Sequence, residues 1–238
     1  NHSTNQFFQY QNPEQDPITS NNYELGVQWE FAEGWGADVN AYMRAIDNYG
    51  QIVFTATNRV PEGETAPDRL PTLHRWGNDA DLWSLLGGWR FPTSLHGTRQ
   101  WFERLAADQL NQRFAIDYPG VGLVGTANLV DIDWKNNNAF HGMMIGDPGM
   151  RGKGVGVDVI MAVMRYAFDE LHLRRLDGSM IAYNEASLAV YCGKCAWKEE
   201  GRQRDWYFRG GRYWDRILVG VTSDDYHALV EANRYWES

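Results

Sequence analysis

Apolar and polar residues alternate in several stretches of the first third of the chain, as they do along half-buried strands. Residues 23–32 show this alternation and are predicted to form a strand. A helix is predicted at residues 37–49 and a second strand at residues 51–60. Residues 61–71 contain Gly, Glu, Thr and three prolines, which predicts a loop. Residues 1–20 are rich in Asn, Gln and Pro without periodicity, which predicts a flexible arm.

Helical spacing of apolar residues begins near residue 78. Leu82, Leu85 and Leu86 share one face of the predicted helix, for which Asn78 is the expected N-cap. A pair of glycines ends this helix, and a second amphipathic helix is predicted at residues 98–110.

Short apolar stretches separated by turn residues follow. Residues 114–118, 121–130 and 139–145 are predicted to form an antiparallel meander. The elements predicted after the meander are a helix from residue 156 to 171, a strand at 175–181, a short helix at 185–192, and a hairpin of residues 197–208 and 212–221 that turns at Gly210 and Gly211. The sequence therefore predicts a mixed α/β fold without internal repeats.

A glycine loop at residues 151–156, Arg-Gly-Lys-Gly-Val-Gly, lies between the meander and the next helix. Glycines before a helix let the backbone approach an anion, which the free N–H groups of the first helical turn then bind. The loop does not fit G-x-x-x-x-G-K-[ST] of nucleoside-triphosphate enzymes, nor G-x-G-x-x-G of dinucleotide-binding folds. Its own residues leave two interpretations open, an anion site and a simple turn.

Composition excludes several classes of protein. The formal charge of −9 argues against a nucleic-acid partner, because such binding needs clustered Lys and Arg. No apolar run approaches the roughly 18 residues of a membrane span, and no secretory leader is evident, so we expect a cytoplasmic protein. Cys192 and Cys195 lack further ligands at metal spacing, so no metal site is predicted and both are expected to be reduced packing residues.

The glycine loop and a downstream motif together resemble the GNAT superfamily of acyl-CoA-dependent N-acyltransferases. The loop fits the family signature Arg/Gln-x-x-Gly-x-Gly/Ala, and Asn184-x-x-Ser187-x-x-x-Tyr191 follows about thirty residues later, where members carry an Asn and then a Tyr. Flanking residues resemble the branch that acetylates ribosomal-protein N-termini, the Rim-type enzymes. These flanking residues are Trp76, Asn78, Asp79, Phe91, Pro92, Ser94, Trp101, Gly201, Gly211 and Asp215.

One segment departs from the family pattern. From the tyrosine, members run through four or so residues into Gly-Phe, whereas residues 192–197 here are Cys-Gly-Lys-Cys-Ala-Trp. The departure puts the end of the helix near the CoA thiol in question.

The resemblance implies a mostly antiparallel central sheet flanked by helices, with an N-terminal elaboration. It divides the chain into a flexible arm at residues 1–20, an elaboration packed on the core at 21–70, and an acyltransferase domain at 71–230. Acetyl-CoA is the implied co-substrate. Its implied binding residues are Met144, Ile145, Arg151, Gly152, Lys153, Gly154, Val155, Gly156, Asn184, Ser187 and Tyr191.

Roles at the reaction centre are also implied. Tyr191 would protonate the departing thiolate, and Asn184 would hold the pantetheine arm or a water while capping the next helix. His141 is a candidate general base because its side chain titrates near neutral pH. Equal or weaker candidates for the base are the carboxylates of Asp131, Asp133, Glu185 and Glu199. The acceptor pocket is expected to be lined by the aromatic side chains of Trp76, Trp89, Phe91 and Trp101.

Three functions follow as hypotheses. The first is acetylation of a primary amine, favoured as a small molecule such as an amino sugar, an aminoglycoside or another metabolite, with a protein N-terminus as the alternative acceptor. The second is a non-catalytic CoA-binding module, which retention of Asn184 and Tyr191 disfavours. The third is a nucleoside-triphosphate enzyme, which is disfavoured because the glycine loop does not fit the pattern G-x-x-x-x-G-K-[ST] of such enzymes. The sequence leaves the acceptor, the acyl length and a homodimer open.

Overall fold

The computed structural model describes residues 6–10, 20–32, 35–46, 53–56, 66–88, 91–105, 108 and 111–236. Its ten strands in this part of the chain are β1 (Gln6–Tyr10), β2 (Ser20–Ala32), β3 (Trp35–Ile46), β4 (Val53–Ala56), β5 (Gln112–Tyr118), β6 (Gly122–Asp133), β7 (Asn138–Ile145), β8 (Arg175–Ile181), β9 (Lys198–Arg209) and β10 (Arg212–Thr222). The α-helices there are α1 (Ala66–Gly77), α2 (Ala80–Ser84), α3 (Leu95–Leu105), α4 (Val155–Arg165), α5 (Glu185–Lys194) and α6 (Ser223–Asn233).

The strands form two sheets. The smaller sheet has the order β1-β2-β3, and the larger one has the order β4-β5-β6-β7-β8-β10-β9. Within the larger sheet β7 and β8 are parallel, whereas each other neighbouring pair is antiparallel. The mixed, mostly antiparallel sheet flanked by helices confirms the predicted fold class.

Six predicted strands match the structure closely. The meander is confirmed as β5, β6 and β7, and the strand at 175–181 is β8. The hairpin is confirmed as β9 and β10, and its turn glycines have φ of +58° and +78°, which suits a residue without a Cβ.

The helix predicted at residues 37–49 is wrong. Residues Trp35–Ile46 form β3, which pairs antiparallel with β2 from Ala32↔Trp35 to Ser20↔Ile46. Ala and Met favour a helix, but apolar residues also stand at every second position from Ala37 to Ala45. Pairing along the whole of β2 decides in favour of the strand, because strand preference depends on the neighbouring strand more than on intrinsic propensity.

The loop predicted at residues 61–71 is wrong from residue 66 onward, where α1 begins and includes Pro71. Pro67 lies in the first turn, where its missing N–H costs no intrahelical bond. The carbonyl that Pro71 cannot reach, at the i−4 position, is that of Pro67, so the disruption stays near the helix start. The predicted domain boundary at residue 70 falls inside α1, and the domain limits remain predictions.

Two further elements shift relative to the prediction. Asp79, and not Asn78, is the N-cap of α2 and accepts a hydrogen bond from the Leu82 N–H at 3.0 Å. The helix predicted at 98–110 is α3, which begins earlier, at Leu95, and ends at Leu105.

β1 lies inside the predicted flexible arm and pairs with β2.

The core lies between the larger sheet and α4. Val159, Ile160, Met161 and Met164 of α4 are fully buried, against sheet residues such as Leu129. Each such side chain contributes roughly 1.5–3 kcal/mol of burial free energy. The methionines of α4 are therefore core residues, and α4 is held firmly in place behind the glycine loop.

α6 has no counterpart in the sequence prediction. It begins with a capping box, in which the Thr222 and Asp225 side chains bond each other's backbone N–H groups. Its Tyr226 is buried in the core cluster, and the Trp236 indole donates to the Tyr226 hydroxyl at 2.9 Å. The chain end after β10 thus packs as part of the same core.

Candidate functional site

A gap opens between the parallel strands β7 and β8. Their pairing runs from Asn138↔Arg175 to Phe140↔Asp177 and stops there, although β7 continues to Ile145 and β8 to Ile181. Successive residues of a strand point to opposite faces, yet all four residues from His141 to Met144 line a single cleft. A cleft that reaches both faces of the sheet requires strands that diverge at this point.

The cleft has a volume of about 980 Å³. Its walls come from β5, β6, β7 and β8, from α1 and α3, from α5, and from the β9–β10 hairpin. The β9–β10 hairpin and the loop after α2 meet at one end of the cleft and close it. The Arg209 guanidinium of the hairpin donates a hydrogen bond to the Gly88 carbonyl of that loop at 3.4 Å. Such a volume is in the range of pockets that hold small ligands.

The glycine loop joins the end of β7 to the start of α4. Gly152 and Gly154 have φ of +75° and +87°, and Gly154 is the N-cap of α4 without a side-chain cap. No atom lies within 4 Å of a Cβ built on either glycine, so the space above the loop is open. The start of α4, whose first N–H groups have no partner within the helix, therefore borders open space beside two exposed cations, Arg151 and Lys153.

The glycine loop does not itself line the cleft. Met143 connects the two, because it lines the cleft and its Cε lies 3.2 Å from a Cβ built on Gly156. Of the two predicted strand residues, Met144 lines the cleft, whereas the Ile145 carbonyl accepts a hydrogen bond from the Arg151 guanidinium at 3.1 Å. Val155 is buried in the core. An extended ligand could thus run from the glycine loop over Met143 into the cleft.

Asn184 is the N-cap of α5, and it lines the cleft together with Ser187. Its Oδ1 accepts from the Ser187 N–H at 3.2 Å, and its Nδ2 donates to the Leu85 carbonyl at 2.9 Å. The neighbouring Tyr183 hydroxyl donates to the Ser84 carbonyl, also at the end of α2. Asn184 is therefore committed to holding α5 against α2.

Tyr191 lies on α5, lines the cleft and is 7% exposed. Burial, reinforced by the nearby Cys195 thiol, raises the pKa of Tyr191 well above its ordinary value of 10. Its phenol therefore stays protonated at physiological pH and can donate a proton or a hydrogen bond. The Trp197 ring packs edge-on against it at 5.0 Å and fixes its orientation.

The departure from the family pattern at residues 192–197 is absorbed after α5. Ala196 has φ of +59°, a left-handed conformation that costs a residue with a Cβ roughly 1–2 kcal/mol. The turn brings Trp197 back so that its N–H donates to the Tyr191 carbonyl at 3.2 Å. Cys195 is fully buried in this turn, and burial raises the pKa of its thiol to about 12, which fits the predicted packing role.

His141 is buried beneath Tyr191, and their ring centroids lie 5.8 Å apart. Its Nδ1 lies 2.9 Å from the Asn128 carbonyl and so carries the proton, which leaves Nε2 as a buried acceptor without a partner among the described residues. Burial lowers the pKa of His141 to about 4, and the bond to Asn128 offsets this only in part. The neutral imidazole ring is therefore a weak base, and it packs against the ring of Tyr191.

The depressed pKa of His141 predicts a pH-dependent stability. The unfolded chain binds a proton below about pH 6.5, whereas the folded chain does so only below about 4, so protonation favours unfolding. We expect the free energy of unfolding to fall by roughly 3 kcal/mol between these pH values. Denaturant titrations at several pH values measure it. His141→Gln should flatten the profile, whereas replacing the exposed His96 should not; an unchanged slope in His141→Gln contradicts the assignment.

Of the four carboxylates considered as a general base, only Asp131 lines the cleft. Asp131 is exposed and lines the cleft. Asp133 accepts the Lys135 and Asn136 N–H groups, each at 2.9 Å, and these bonds to the turn lower its pKa. Glu185 and Glu199 are exposed and are not among the residues that line the cleft.

The predicted acceptor aromatics separate into two groups. Phe91 and Trp101 line the cleft, and Phe91 is 68% exposed at its mouth. Trp76 is buried elsewhere, with its ring filling the space beside Gly146, where a Cβ would lie 2.3 Å away. It packs α1 against the end of β7 and does not line the cleft. Trp89 lies outside the described residues.

The hairpin supplies cleft residues that the sequence prediction missed. Trp206, Tyr207 and Arg216 line the cleft, and Arg216 stacks over the Trp206 ring at 5.1 Å. The sequence signal that could have found them is the density of arginines and aromatics in β9 and β10, which strand alternation alone does not assign to a site.

No group of three or more His, Cys, Asp or Glu that could hold a metal ion occurs among the described residues. Within the same ranges, every helix is too short or too polar to cross a membrane.

Comparisons with known proteins agree with this geometry. Residues 64–192 match the family model described as the acetyltransferase (GNAT) domain. A relative in Bacillus subtilis strain 168, the SPbeta prophage-derived uncharacterized N-acetyltransferase YokL, is 29% identical over 137 residues, which cover 57% of this chain and 75% of YokL.

Solved structures with a similar fold include a spermidine N-acetyltransferase from Vibrio cholerae in complex with CoA and spermine. It shares 20% identity at a TM-score of 0.65 and covers 74% of this chain and 98% of its own. A chimera of the Vibrio cholerae enzyme SpeG and hSSAT, K23-Q34, has 19% identity and a TM-score of 0.63, with the same coverage of both chains. At these identities the likeness shows the fold.

Proposed function

Because the chain belongs to the GNAT acetyltransferase family, we propose that it transfers an acetyl group from acetyl-CoA to the primary amine of a small molecule. The observation that carries the proposal is the gap between β7 and β8, which begins after Phe140↔Asp177, opens onto the cleft and borders the strand that precedes the glycine loop. A linear donor needs such a passage, and the relative solved with CoA has the same fold.

The residues of the donor side fit acetyl-CoA. The diphosphate would be held by the backbone N–H groups at the start of α4, next to Arg151 and Lys153, where the positive φ of Gly152 and Gly154 leaves the approach open. The pantetheine arm would pass Met143 and Met144 towards Ser187 and Tyr191. Acetyl-CoA, when bound, supplies an activated thioester.

Acetyl transfer requires the protein to position the amine beside the thioester and to supply one proton to the departing sulfur. The amine nitrogen forms a bond to the acetyl carbon, the carbon–sulfur bond breaks, and the amine proton leaves to water. Tyr191, whose phenol stays protonated, donates a proton to the departing sulfur and regains one from water, which has taken up the amine proton. A free α-amino group has a pKa of about 8 and is partly neutral near pH 7, so the weak basicity of His141 is no obstacle. Holding both reactants in one cleft supplies much of the acceleration.

A small-molecule acceptor is favoured over a protein N-terminus. The loop after α2 and the β9–β10 hairpin meet through Arg209 and Gly88 and close one end of the cleft. The similar Vibrio cholerae enzyme was solved with spermine, which is a small amine. A non-catalytic module is disfavoured, because Asn184 and Tyr191 both remain at the cleft.

The test combines calorimetry of acetyl-CoA binding with an assay of CoA release. The panel contains amino acids, amino-acid amides, amino sugars, aminoglycosides, spermidine and peptides with free N-termini. We expect acetyl-CoA to bind and small amines to release CoA faster than peptides. Failure of acetyl-CoA to bind at millimolar concentration overturns the proposal; binding without CoA release from any acceptor supports the non-catalytic alternative, and faster release with peptides supports the N-terminal one.

A further inference from the structure

Cationic side chains dominate the cleft. The charged residues that line it within the described part of the chain are Arg69, Arg104, Arg113, Arg216 and Asp131. Arg69 is neutralised by Asp117, with the guanidinium 2.8 Å from the carboxylate. Arg104 and Arg216 by themselves outnumber the one aspartate, although the whole chain carries a charge of −9. The cleft is therefore locally positive in an acidic protein.

Arg216 lies in the best position to meet a ligand. It is partly buried, and its guanidinium forms no hydrogen bond or ion pair with the described residues. Trp206 stacks on it and restricts its orientation. Two other partly buried arginines meet carboxylates, Arg69 with Asp117 at 2.8 Å and Arg175 with Asp177 at 2.6 Å. A partly buried cation without an acceptor is costly unless an anion pairs with it.

The fold brings Arg216 close to the end of the gap. Arg216 pairs in register with Ile181, the last residue of β8, and the adjacent Asp215 carbonyl accepts from the Ala182 N–H at 3.0 Å. Two residues later Asn184 begins α5, which carries Tyr191. The guanidinium is therefore attached to the strand edge that leads directly to the proposed reaction centre.

From this arrangement we infer that the acceptor is an amine that also carries a carboxylate, as a free amino acid does, and that Arg216 binds the carboxylate while the amino group faces the thioester. The inference rests on the proposed function and defines its substrate class. Arginine suits the role, since its planar fork binds both carboxylate oxygens at once. Phe91 and Trp101 would cover the acceptor side chain.

Charge argues against the alternatives. A polyamine would bring several positive charges to Arg216 and Arg104, and like charges repel. A peptide N-terminus offers an amide carbonyl where an amino acid offers a carboxylate. The diphosphate of CoA is not the expected partner of Arg216, because the proposed diphosphate site is the glycine loop with Arg151 and Lys153, on the other side of Met143.

The test compares amino acids with their own amides, plus spermidine, as acceptors for the full chain. Rates are expressed per concentration of neutral amine, because an amide lowers the pKa of the neighbouring amino group. We expect a preference of about 10- to 100-fold in kcat/KM for the best acid over its amide, as for a charge-assisted hydrogen bond. Arg216→Gln should raise KM for the acid and bring the ratio close to one, with kcat and the Kd of acetyl-CoA nearly unchanged.

Arg212→Gln is the matched control. Arg212 also stacks on an indole, that of Trp214 at 3.6 Å, but it is exposed and does not line the cleft. It should retain the acid preference. Equal use of acids and amides, a preference for spermidine, or an Arg216→Gln effect on acetyl-CoA affinity would overturn the inference while leaving the acetyltransferase proposal standing. Acetyl-CoA that fails to bind, or that releases no CoA with any amine, would overturn the proposed function itself.

Discussion

Replacing Tyr191 by phenylalanine should lower kcat about 100-fold or more, since a positioned acid contributes at least that much. Affinity for acetyl-CoA should stay within about twofold, because the ring that packs against Trp197 is retained. The physical reason is the loss of the hydroxyl, which lines the cleft and is the proposed proton donor to the leaving sulfur. Steady-state rates and calorimetry on the same preparation measure both quantities.

Tyr213→Phe is the control for this variant. Tyr213 is 62% exposed on the hairpin and is not among the residues that line the cleft, so its loss should leave kcat unchanged. Unchanged turnover in Tyr191→Phe would remove the role of acid from Tyr191. Loss of acetyl-CoA binding together with turnover would instead assign Tyr191 to holding the donor.

Replacing Gly154 by alanine should raise the Kd of acetyl-CoA by at least about tenfold. At φ of +87° a Cβ costs roughly 1–2 kcal/mol of strain, and any relaxation turns the N–H groups of α4 away from the diphosphate. Acetyl-pantetheine lacks the diphosphate and the nucleotide, so its binding should change little. Calorimetry with both donors measures the difference.

Gly211→Ala provides a matched backbone change. Gly211 has φ of +78° and, like Gly154, nothing within 4 Å of a built Cβ, but it lies in the hairpin turn. It should lose similar stability without losing acetyl-CoA affinity. Equal weakening of both donors in Gly154→Ala would contradict a diphosphate site at this loop.

The sequence predicts correctly the elements whose turns and apolar patterns lie within their own segments. The turn residues between β5, β6 and β7, the glycines of the hairpin and the apolar stripe of α4 each constrain their own segment. β3 was predicted incorrectly because its alanines and methionine fit both periods, and its partner strand decides. α6 was missed because its helical face is short, with Tyr226 its one fully buried residue among those described.

The candidate site divides in the same way. The glycine loop, Asn184 and Tyr191 were found because their spacing along the chain is a motif, and the structure brings Asn184, Ser187 and Tyr191 to one cleft. Trp76 and Arg216 depend on distant contacts. Trp76 fills the space beside Gly146, and Arg216 reaches the cleft only because β10 lies beside β8. The proposed acceptor side therefore depends on tertiary packing, whereas the proposed donor side is encoded in local sequence motifs.

The amide of Asn184 holds two helices with one planar group. Its oxygen serves α5 and its nitrogen serves the end of α2, so rotating the amide by half a turn would break both bonds at once. The helix that carries Tyr191 and the loop that closes the acceptor end therefore keep a fixed separation. Effective molarity depends on such a separation, because an error of about 1 Å between reacting atoms can cost roughly 100-fold in rate. In the proposed reaction, Asn184 would thus act as the spacer that sets the distance between the donor and the acceptor.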